Sequence, residues 1–274
     1  MMHRKHTQNG SPNQARWGRI GLPAILLMAF LPAVLLLAAP IAQADTCIDC
    51  HSDKGFMVRD KKLFDYYEQW KLSIHANTEV SCADCHGGNN KARGKKEAHG
   101  PGPLSASATG SPTHYRNIPK TCGQCHEEVV KQFQESAHFE HLQGSKDEAQ
   151  GPSCVTCHGS VNTSVLKVGT VRQTCEKCHD AKEAKGPSVP DRAEAILGDF
   201  LSIHRYYRYI GLRGEKDDVR RFFRLVDPML SNVAHQWHSF DLDAVEEQTG
   251  ALVQFLKVKR NEILQDRKKR GKKY

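Results

Sequence analysis

A mainly α-helical chain with extensive loops is the fold class this sequence predicts, and three observations carry it. All ten cysteines lie between Cys47 and Cys178, in five C-x-x-C pairs, each followed at once by histidine. The stretch that holds them is rich in Gly, Lys, Ser and His, and it has too few apolar side chains to bury a core of its own. Beyond Asp180 the composition changes to long cysteine-free segments whose apolar residues recur every three and four positions, the period of a helix with one buried face.

The N-terminal residues 1–44 have the three parts of an export signal. Arg4, Lys5, Arg16 and Arg19 form a basic start without an acid, an apolar run follows from Ile20 to about Ala42, and Ala42-Gln43-Ala44 fits the small-residue cleavage rule. Asp45 is then the expected mature N-terminus. The alternative is an uncleaved membrane anchor, since a run of about twenty residues can cross a bilayer as a helix. Pro23, Pro32 and Pro40, together with the cleavage site, favour removal. Cleavage takes away four basic residues and halves the formal charge of +8. Much of the remaining excess sits in Lys257 to Tyr274, a basic tail that reads as a solvated helix end. An exported chain has no nucleic acid to meet, so the charge does not argue for that partner.

In an oxidising compartment cysteines pair as disulfides, but this spacing argues for another fate. The runs are CIDCH (Cys47, Cys50, His51), CADCH (Cys82, Cys85, His86), CGQCH (Cys122, Cys125, His126), CVTCH (Cys154, Cys157, His158) and CEKCH (Cys175, Cys178, His179). Zinc uses C-x-x-C pairs two at a time, which leaves one of five unmatched, and it gives no reason for a histidine after every pair. A redox dithiol needs one motif in a β-α-β setting. Disulfides closing such tiny loops would hardly constrain an unfolded chain. C-x-x-C-H is instead the attachment signature of c-type haem, with two thioether bonds and the adjacent histidine as proximal iron ligand. Five copies predict five haem c groups, which supply the core that residues 45–186 otherwise lack.

The second axial ligand separates a wire from an enzyme. Methionine is nearly excluded, because only Met57 and Met229 follow the signal segment. Eight further histidines do, enough for bis-histidine ligation throughout. Six are candidates by context: His75 in WKLSIH, His99 in KKEAHG, His138 in QESAH, His114, His204 beside Ile196, Phe200 and Tyr207 on a helix, and His238 with Ala234. The helix expected from Glu127 carries His138 toward an iron other than the third, and His141, one turn on, is at most a hydrogen-bonding neighbour.

The segments SIHANTEVSCADCHGG, KKEAHGPG, NIPKTCGQCH and SAHFEHLQGSKDEAQGPSCVTCHGS resemble those of periplasmic multihaem c cytochromes. These belong to the broad superfamily of octahaem tetrathionate reductase, hydroxylamine oxidoreductase and their small tetrahaem and pentahaem electron carriers. The resemblance covers roughly Asp45 to Asp180 and implies distal roles for His75, His99 and His138. Catalytic members of that group often carry one unusual haem, whereas all five motifs here end in histidine.

Residues 187–274 are expected to form a C-terminal helical segment with a basic tail, with helices over Ser188 to about Arg213, Asp227 to about Phe240 and Leu242 to about Lys269. Asp227-Pro228 reads as a cap followed by proline at the first helical position. The arginines of RYYRYIGLR, Arg205 to Arg213, are expected to pair with haem propionates. The function this organisation predicts is periplasmic electron transfer through five haems. The expected partners are redox proteins, a quinol-oxidising membrane complex on one side and a terminal reductase or an outer-membrane acceptor on the other. The alternatives are a reductase of nitrogen or sulfur oxyanions at one open haem, and a membrane-anchored quinol dehydrogenase.

Overall fold

The first cysteine, the second cysteine and the histidine of each motif stand at i, i+3 and i+4, positions that share one face of a helix. In the computed structural model, which describes residues 45–144, 151–179 and 188–271, every motif does fold as a helical turn. The expected signal segment and the expected boundary at 186–187 lie outside the described residues. Three motifs are single-turn helices: α1 (Thr46–His51), α4 (Cys82–His86) and α9 (Cys154–His158). The other two begin at the last residue of longer helices, α6 (Ile118–Cys122) and α10 (Val168–Cys175). There the backbone N–H of His126 donates to the Cys122 carbonyl and that of His179 to the Cys175 carbonyl, both at 2.9 Å, so the helical turn is kept.

Local sequence explains where these turns start and stop. Asp45 caps α1 by accepting from the Cys47 N–H, and Ser81 with Asp84 and Ser153 with Thr156 form reciprocal caps on α4 and α9. Gly87 and Gly159 follow His86 and His158 at φ of 77° and 79°, a left-handed conformation that ends the helix directly behind the histidine.

Between the motifs lie α2 (Lys54–Arg59), α3 (Lys61–Lys71), α5 (Lys95–His99), α7 (Glu127–Gln134) and α8 (Ala137–Gly144). The helix expected from Glu127 through His138 is thus two helices. Ser136 breaks it: its hydroxyl donates to the Phe133 carbonyl at the end of α7 and accepts from the Phe139 N–H at the start of α8.

The C-terminal part is three long helices, α11 (Val189–Arg213), α12 (Lys216–Gln236) and α13 (Leu242–Gly271). Ser188 and Asp191 form the capping box of α11, with Pro190 in its first turn. The buried stripes step by sevens: Ile196, Ile203 and Ile210 on α11, Val226 and Val233 on α12, Val245 and Leu252 on α13, with Leu256 beside them. Six of these form the hydrophobic core, and α11 packs along both α10 and α13. Arg192 on α11 forks onto Glu246 of α13 through two hydrogen bonds of 2.9 and 2.7 Å.

α12 starts eleven residues before the expected Asp227. Pro228 lies inside it, exposed, where the carbonyl that loses a partner still faces water. Tyr207 of RYYRYIGLR stacks on Phe223 at 4.0 Å and donates to Asp227, and Arg260 lies over Tyr206 and Tyr209. The aromatic half of that run therefore serves helix packing. Among the described residues there is no strand, and no helix is long and apolar enough to cross a membrane.

Candidate functional site

The five motif turns are neighbours in space in the order of the chain. α1 packs on α4, α6 on α9, and α9 on α10. The thiols trace the same path. Burial and then Asp45 push the Cys47 thiol up to about 12, with Cys82 adding to it. Cys85 is raised by burial and by Cys122 and Cys125, Cys122 is raised by its neighbour Cys154 and then by burial, and Cys157 is raised by burial and then by Cys175. First meets second, second meets third, third meets fourth, and fourth meets fifth.

Four of the five motif histidines face a second histidine across a nearly constant gap. The ring centroids of His51 and His99 are 6.4 Å apart, His75 and His126 6.2 Å, His138 and His179 6.0 Å, His158 and His238 6.1 Å. Two metal–imidazole bonds of about 2 Å, plus about 1 Å from each nitrogen to its ring centre, span about 6 Å, so one iron fits between each pair. The interplanar angles run from 22° to 81°, as expected of ligands that turn freely about the metal–nitrogen axis. Direct ring contact would not hold one distance over so wide a range of angles.

Hydrogen bonds orient these rings. His158 Nδ1 meets the Ser164 carbonyl at 3.0 Å, and His238 Nδ1 meets the Ala234 carbonyl at 3.2 Å, which leaves Nε2 of each for a metal. His51, His75, His138 and His238 all have proton affinity below the ordinary histidine value, through burial first and the facing imidazole second. They are held neutral, the form that binds metal. The donor set therefore fits haem c. Each cysteine pair can form the two thioether bonds, the motif histidine the proximal bond, and the facing histidine the distal one.

Of the six candidate distal ligands, the structure brings His75, His99, His138 and His238 opposite motif histidines. His204 and His141 are exposed on α11 and α8, and His114 is buried with its Nδ1 unpartnered, away from any such pairing. The pairs cross the chain: His75 precedes the second motif but faces the third, and His99 reaches back to the first. Gly88 makes the second crossing possible. At φ 85° a Cβ there would sit 2.5 Å from the Ala98 carbonyl, and Asn89 donates to that carbonyl at 2.7 Å, seating α5 and His99.

Phe240 escapes a reading based on ligand types alone. It sits at φ 57° in the turn after the 3₁₀ segment Trp237–Ser239, its ring 4.3 Å from that of His138. One short turn thus carries His238 to the fourth motif and walls in the ring that faces the fifth. An aromatic two residues past a histidine, at a helix break, is the only sequence signal of this.

His138→Ala is expected to leave one haem without its sixth ligand, and that haem is the fifth, facing His179, and not the third on the same stretch. Magnetic circular dichroism with imidazole rescue checks it. Six-coordinate signals from every haem in the variant would remove His138 from the ligand set.

Two family models match the chain, cytochrome c552 over residues 63–146 and cytochrome c7 and related cytochrome c over residues 108–185. The multiheme cytochrome MtrA of Shewanella baltica (strain OS185) is 27% identical over 154 residues, 55% of this chain and 35% of that protein. The chain thus spans about a third of the length of this curated relative. No solved structure matches.

Proposed function

We propose that this chain, which is a multihaem c-type cytochrome, is a periplasmic carrier that passes single electrons along five covalently held haems. One arrangement carries the reading: five attachment turns adjacent in chain order, four of them with a second imidazole placed for the same iron. Haem c supplies a one-electron couple whose potential follows its axial ligands. The chain's own part is to orient the rings and to keep the sites side by side. Imidazoles on both sides, without methionine, favour low potentials.

The donor that fits is a quinol-oxidising membrane module, and the acceptor a terminal reductase or an outer-membrane protein. Residues 45–186 are the haem-binding part, and residues 187–274 a helical buttress that lends the fourth site its ligand. Removal of residues 1–44 leaves the protein in the periplasm, whereas retention makes it a membrane-anchored quinol dehydrogenase.

Intact mass decides between these. The expected mass is that of residues 45–274 plus five haems, and an alkaline pyridine assay should count the same five. Fewer haems would overturn the reading, and a mass that includes residues 1–44 would replace the free carrier with the anchored form.

A further inference from the structure

His86 is the exception among the motif histidines. It is exposed at the end of α4, and among the described residues it faces no imidazole at the distance the other four share. Its ring lies near the Leu104 backbone. Leu104 belongs to the run Gly100-Pro-Gly-Pro-Leu-Ser105 after His99, which offers carbonyls and no imidazole, thioether or amine.

The histidines left over make no such ring pair with it, among the described residues. His141 and His204 are exposed on α8 and α11, and His235 lies on α12 near Glu128 of α7. His114 is 5% exposed, and its carbonyl accepts from Asn117 and Ile118 at the start of α6. Its segment meets the second motif through Pro112, which lies against Gly87 at the end of the motif helix.

We propose that His86 is the only axial ligand the chain gives its second haem, and that the opposite face takes a small diatomic π-acceptor of the carbon monoxide or nitric oxide kind. The inference rests on the haem reading above. It makes the second position in the row one where a bound ligand can tune, or interrupt, electron flow between the first site and the other three.

The test uses the full-length holoprotein with its haem count established. Titration of the reduced protein with carbon monoxide is expected to show about one equivalent bound per five haems, and the oxidised protein a matching high-spin ferric signal. His114→Ala should leave both unchanged. A C82A/C85A variant, which cannot hold the second haem, should keep four haems and lose the binding. Five haems with no carbon monoxide bound would overturn the inference, and binding that appears only in His114→Ala would assign His114 as the sixth ligand. Binding that survives in C82A/C85A would place the open site elsewhere, while a count below five would fail the haem reading itself.

Discussion

His238→Ala is expected to convert the fourth haem from low spin to high spin and to raise carbon monoxide uptake by about one equivalent, with the number of attached haems unchanged. The effect is large because nothing nearby can substitute. His238 sits in a 3₁₀ turn, the Ala234 and His235 carbonyls of α12 fix its Nδ1, and its ring is 6.1 Å from that of His158. His235, three residues earlier, points toward Glu128 on α7, so His235→Ala should leave the spectrum alone. The substitution tests more than one ligand. His238 lies outside residues 63–185, the whole span that the family models cover, so a spectrum without a high-spin component would detach the C-terminal helices from the redox sites altogether.

Leu252→Ala is expected to cost about 2–5 kcal/mol, the usual penalty for emptying a fully buried leucine site. Leu252 is 1% exposed in the core where α11, α12 and α13 meet. Thermal unfolding followed by far-ultraviolet circular dichroism should show a clear fall in midpoint. Carbon monoxide uptake should rise before the helices melt, because α12 carries the turn with His238. Val258 lies on the same helix but is 57% exposed, and Val258→Ala should shift stability by less than about 0.5 kcal/mol. Equal effects from the two substitutions would argue against the core as drawn.

The five motif turns were legible because their geometry is local. Two thiols and an imidazole must share one helical face, and five residues suffice to write that. The first and third long helices were legible for a similar reason, through apolar residues that recur every three and four positions. What failed to show was set by partners far along the chain. The start of α12 at Lys216 was hidden by Asp227-Pro228, a cap signal overridden because Pro228 faces water and Val226 and Val233 are buried on either side of it. The break at Ser136 was hidden because α7 and α8 both carry helix-forming residues, and only the hydroxyl's bond to the Phe133 carbonyl ends the first. The candidates His75, His99, His138 and His238 could be drawn up from spacing and context. Their pairing with particular motifs could not, since each pair joins segments that only the fold brings together.

With the four facing pairs as ligands, each iron becomes a staple between remote parts of the backbone, and the staples interlace. The link from His51 to His99 overlaps that from His75 to His126, and the link from His138 to His179 overlaps that from His158 to His238. Each closes a loop of roughly forty to eighty residues, a size at which a cross-link removes several kcal/mol of freedom from the unstructured chain. No link bridges the short span between His126 and His138, which is where α7 lies. The molecule is therefore stitched as two separate knots of chain, and opening one staple should loosen its own knot while the other stays tied.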